Sequence, residues 1–155
     1  MKYIEKGLNI LINIIFYISL IALAFFIFGV RYYNVLSESM EPTIPVGSLI
    51  VVWPTSFENL EDDDVITVRL NNTGILLTHR AVEINHEERT IITKGDNNPT
   101  RDPQPINADQ LVGKVIFHIP VFGSFVSFLK TTTGIIIIAS IIIAFIVLKR
   151  FVFKK

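Results

Sequence analysis

The stretch Val35-Leu36-Ser37-Glu38-Ser39-Met40-Glu41-Pro42-Thr43 stands at a boundary, with strongly apolar chain before it and β-patterned chain after it. On the amino-terminal side, Leu8 to Val30 is an apolar run broken only by Asn9, Asn13, Ser19 and Gly29. At a rise of ~1.5 Å per residue it reaches across a ~30 Å hydrocarbon core, which predicts a transmembrane helix over 8–30 behind a short terminus, 1–7. A cleavable secretory leader would have a shorter apolar stretch of ~7–15 residues and end in small residues. This run ends in Arg31-Tyr32-Tyr33, so the segment is expected to be retained.

On the other side of the stretch the pattern changes to short β-branched runs bounded by turn residues, the signature of strands. Strands are expected at Ser48 to Trp53 ahead of Pro54, Val65 to Leu70 ahead of Asn71-Asn72, Ile75 to Ile84, Thr90 to Lys94 and Val112 to Ile119. Glu58 to Asp64, with five acidic residues, reads as a solvated loop, Asn85 to Arg89 as a hairpin turn, and Gly95 to Pro105 as a loop rich in Asn, Asp and Pro. Val121 to Leu129 is apolar again and fits a segment lying along a membrane surface. Gly134 to Leu148 carries no charge and has Ser140 as its one polar residue. Extended to 131–148, with Lys149 and Arg150 snorkelling, it becomes a second expected crossing followed by a basic tail, 149–155. A buried core helix would explain the apolarity, but not Lys149, Arg150, Lys154 and Lys155 directly after it.

The 155 residues have no net formal charge, yet the charge is partitioned. Outside residues 31–130 lie six basic residues and one acidic residue, Glu5; inside lie eight basic and thirteen acidic. Basic flanks stay cytoplasmic, so two crossings put both termini inside the cell and a domain of residues 31–130 outside it. An acidic central domain argues against nucleic acid as a partner. The chain has no cysteine, which excludes disulfides and thiolate metal sites.

Two serines near a turn are ordinarily hydrogen-bonding loop residues. A hydroxyl becomes a nucleophile only when a base takes its proton, so the serine pair acquires chemical meaning only with a base further along the chain. The segment Ser37-Glu38-Ser39-Met40-Glu41-Pro42 behind an apolar anchor resembles the nucleophile box of type I signal peptidases, peptidase family S26. The resemblance continues in order through Gly47-Ser48-Leu49-Ile50-Val51-Val52, Thr78-His79-Arg80, and Lys94-Gly95-Asp96-Asn97-Asn98 with Asp102. It implies Ser39 as nucleophile and Ser37 as an oxyanion-hole donor beside the Ser39 backbone N–H. His79 before Arg80, where other members have lysine, resembles the endoplasmic-reticulum-type branch that also has archaeal and Gram-positive members. A histidine titrates near ~6.5 and needs a carboxylate to fix its tautomer. Asp102 is expected in direct contact with it and Asp96 in ordering the loop. The position between the serines is often Gly in the family and is Glu38 here, which would be strained in a left-handed backbone.

Without the serine box, His79 would be an ordinary strand histidine. His86 reads as a solvated turn residue and His118 as a residue alternating out of an apolar strand. The resemblance implies a mostly β catalytic domain of the signal peptidase and repressor-protease type, flanked by two transmembrane helices. It implies cleavage of signal peptides with no metal or organic cofactor, at the bilayer, with association with the secretion translocon. Two other classes compete: a catalytically silent binder of signal peptides or of a partner, which the pair Ser39 and His79 disfavours, and a self-cleaving Ser-Lys repressor, for which no DNA-binding domain is present.

Overall fold

The computed structural model describes residues 2–71 and 73–152. Asn72 of the expected turn and Lys154 and Lys155 of the expected basic tail lie outside the described residues, as do the side chains of Lys149 and Arg150. The first apolar segment is helix α1, Lys2–Ile27. It stops short of Val30 because Gly29 takes a left-handed conformation (φ 89°). The Gly29 N–H then donates to the Phe26 carbonyl and the Val30 N–H to the Phe25 carbonyl, the double bond that closes a helix of this kind. Arg31 donates to the Phe26 carbonyl and lies 4.8 Å over the Phe26 ring, adding charge and stacking at the negative helix end. Val30 itself is fully buried and belongs to the domain.

Beyond it, the strands are β1 (Arg31–Asn34), β2 (Leu49–Trp53), β3 (Val65–Arg69), β4 (Leu76–Asn85), β5 (Thr90–Lys94), β6 (Ile106–Asn107) and β7 (Leu111–Ile119). They form one antiparallel sheet in the order β1-β2-β7-β3-β4-β5-β6. The domain is therefore mostly β, as expected, and each anticipated strand lies within a residue of its place. The two edge strands β1 and β6 were not anticipated: Arg-Tyr-Tyr-Asn lacks an apolar alternation, and Ile106-Asn107 is too short to show one. β7, last in sequence, sits between β2 and β3, where Gly113 lets it pass the β2 backbone. A Cβ there would lie 2.1 Å from the Trp53 carbonyl oxygen. The ladder shifts register beside this point on both flanks of β7, bending the sheet.

The bend separates two cores. Phe57, Leu60, Ile66, Val68, Ala81, Ile91 and Ile106 form one, under β3, β4 and β5. Met40, Ile44, Ile50 and Val52 form the other, under the loop after β1. Fully burying one such side chain contributes about 1.5–3 kcal/mol, so Met40 holds its loop firmly. The acidic stretch departs from expectation. Asp64 is buried and paired with Lys114, and the Asp63 carbonyl accepts from Arg80, so the loop is an internal brace as well as a solvated face.

Residues Phe122–Leu129 form helix α2 and Thr132–Val152 helix α3, meeting at 78°. The small residues of α2 face the sheet: a Cβ on Gly123 would clash with Asn34 and with the Ser48 carbonyl, and the Ser124 N–H donates to the Gly47 carbonyl. Phe122, Phe125 and Phe128 are exposed. From Lys6 to Ile27, α1 is long and apolar enough to cross a membrane, with mean hydropathy 2.7 and none of it buried in the domain. The second crossing is not established by the same measure: α2 and the described apolar part of α3 make a bent pair, a geometry common to a broken span and a re-entrant loop.

Candidate active site

Ser39 lies in a single turn of 3₁₀ helix, Glu38–Met40, directly after extended Ser37. Met40 anchors the turn from below by its burial. The turn bonds forward through the Ile44 N–H to the Met40 carbonyl. Ser37 and Ser39 present their hydroxyl oxygens 3.2 Å apart. Glu38 is not among the left-handed residues, so the side chain at this position carries no backbone strain.

The loop after β5 closes on this turn. The Asn97 N–H donates to the Ser39 carbonyl at 2.9 Å, and a Cβ on Gly95 would lie 2.6 Å from the same oxygen. Only a glycine lets the two loops approach this closely. Asp96 receives a two-pronged bond from Arg80, at 2.8 and 2.7 Å. These hydrogen bonds hold the Asp96 carboxyl below the usual carboxylate range, aided by the Thr43 hydroxyl and opposed by partial burial. The same contact raises the guanidinium of Arg80. Asp96 thus ties the β5 loop to β4 and to the Ser39 segment, and it is not the residue bonded to the histidine.

That residue is Asp102. Its Oδ2 lies 2.5 Å from His79 Nδ1 and accepts the Thr93 hydroxyl at 2.6 Å. The Asp102 N–H donates to the Thr93 carbonyl at 2.8 Å, so β5 fixes both ends of the aspartate. His79 stands on β4 opposite Ile66, 5% exposed. Its Nε2 is buried without a hydrogen-bond partner among the described residues. A carboxylate on Nδ1 fixes the proton there and leaves Nε2 with a lone pair, the form a general base requires. No hydrogen bond joins Nε2 to Ser39 Oγ; catalytic bonds of this type often tighten only when substrate seats.

Thr93 and Arg80 carry much of this geometry and were given no role from sequence. Thr93 had a signal: in β5 it shares a face with buried Ile91, an interior position where a hydroxyl must find a partner. Lys94 lies opposite Arg80 at the strand end, away from the Asp102 contact. His86 is exposed and edge-on to Phe57 at 5.6 Å, and His118 pairs with Ile50 in the ladder, so neither joins the cluster.

A pair of hydroxyls, an imidazole and a carboxylate held on one β framework are the parts of a serine protease centre. Residues 8–94 match the family described as signal peptidase, peptidase S26. The chain is 38% identical over 88 residues to signal peptidase I W of Bacillus subtilis, covering 55% of this chain and 46% of that one. It is 31% identical over 99 residues to SEC11, the catalytic subunit of the signal peptidase complex of Candida albicans, covering 57% and 59%. With the SEC11 of Colletotrichum graminicola the identity is 30% over 99 residues, covering 57% and 58%. The chain spans about half the length of these relatives. It belongs to the signal peptidase family, peptidase S26.

Proposed function

We propose that this protein is a membrane-anchored serine endopeptidase that removes N-terminal signal peptides from secreted preproteins. The reading is carried by the His79–Asp102 contact, which leaves a buried Nε2, unbonded among the described residues, on the strand in contact with the Ser39 turn. Ser39 Oγ attacks the scissile carbonyl as His79 takes its proton at Nε2. Asp102 holds the imidazole and stabilises its charged form. The tetrahedral oxyanion is met by the Ser39 N–H and the Ser37 hydroxyl. His79 returns the proton to the leaving amine, and a water then releases the acyl group by the same path. Asp96 acts through the loop that supports Ser39.

The apolar, unburied α1 supports anchoring in the cell membrane. The charge partition supports a second crossing over 131–148, both termini cytoplasmic and residues 31–130 outside. The partners of this reading are signal peptides, the bilayer and the secretion translocon. In a detergent assay on a preprotein, Ser39→Ala and His79→Ala are each expected to reduce cleavage to background while leaving the thermal transition of the domain in place. Activity within a few fold of wild type in either variant would overturn the mechanism, whereas absence of cleavage by the wild-type protein itself would favour the silent, peptide-binding alternative.

A further inference from the structure

Two cavities meet at Leu77. One, of about 710 Å³, contains both hydroxyls, with Leu36, Met40, Ile50 and Ile75 in its walls. The other, of about 450 Å³, is lined by His79, Asp102, Pro103, Gln104, Pro105 and Asn71 among others. Reaction chemistry divides a substrate between them. The acyl part stays on the Ser39 oxygen, whereas the amine leaves with a proton from His79. The chain attached to that amine therefore departs over the imidazole, and the chain attached to the acyl carbon lies over the hydroxyls.

We propose that the cavity beside His79 binds the first residues of the released mature protein and selects uncharged side chains there. The inference rests on the peptidase reading above. The walls are apolar or neutral polar, with Leu70, Leu77, Ile106 and Thr73 beside the amides and prolines, and the one carboxylate among the described lining residues, Asp102, is already engaged by His79 and Thr93. Among the described residues, no lysine or arginine lines the cavity. An acidic side chain would lose water beside Asp102 without gaining a partner, which is costly. Gln104 and Asn71 offer amide donors and acceptors to a neutral polar side chain or to the peptide backbone.

The full chain carrying Ser39→Ala, in detergent micelles, would be irradiated with a preprotein bearing a benzophenone side chain either three residues before the cut or two after it. Adducts are expected on residues 36–40 or 75–78 from the first position, and on residues 103–107 from the second. A second-position adduct on residues 36–40 would overturn the inference and leave the peptidase reading standing. No adduct from either position would overturn both. In the active enzyme, Gln104→Lys is expected to raise the kcat/KM ratio of glutamate over glutamine, at the first residue after the cut, by about three- to fivefold. A ratio unchanged within twofold would overturn the preference for uncharged side chains.

Discussion

At Asp102, one oxygen receives both the imidazole and the Thr93 hydroxyl. Asp102→Asn would present an amide that satisfies Thr93 but favours the wrong imidazole tautomer. Turnover is expected to fall by about 10³–10⁴ with substrate binding nearly unchanged, read as kcat against KM. Ser37→Ala removes the proposed oxyanion donor and is expected to cost about 10²–10³ in kcat. Lys94→Arg is expected to retain most activity, because Lys94 lies away from the carboxylate contact; a dead Lys94→Arg with an active His79→Ala would move the chemistry to lysine. At this scale the candidate residues were legible because Ser39, His79, Asp96 and Asp102 each sit in a motif with neighbours. Thr93 and Arg80 were not assigned, since their roles come from which face of β4 and β5 they occupy and from a loop that folds back on the Ser39 turn.

Among the elements, the loop after β5 connects the stability of the domain to its site. Arg80 holds the Asp96 carboxyl below its ordinary value, so the ionised pair stabilises the fold at any pH above the unfolded carboxyl pKa of ~3.9 and that contribution is lost as pH falls through the lower folded value. Asp96→Asn is accordingly expected to destabilise the domain by about 1–3 kcal/mol at neutral pH, with the gap to wild type closing under acid. Denaturant melts at pH 7 and pH 3 would check it, and a gap that stays constant with pH would contradict it. The five longer strands were visible as β-branched runs between turns. The edges β1 and β6, the insertion of β7 between β2 and β3, and the angle between α2 and α3 depend on contacts between distant segments, and no local pattern encodes them.

For the whole molecule, the proposed topology makes a direct demand on accessibility. Protease added to intact spheroplasts is expected to remove residues 31–130 while sparing tags at both termini; a protected centre would reverse the orientation and with it the secretory role. The same end of the sheet receives both apolar segments, since α1 runs straight into β1 and α2 packs on β1 and β2. Between the end of α1 and Ser39 there is little slack. Gly29 closes the helix, β1 is paired along its length, and Val35 exchanges hydrogen bonds with Gly47 and Ser48. With α1 in the bilayer, Ser39 is consequently held at a set height above the lipid. Under the proposed function the protein would be a yardstick as well as a blade: a bond with suitable flanking residues would be cut only if the substrate's own apolar segment presented it at that height.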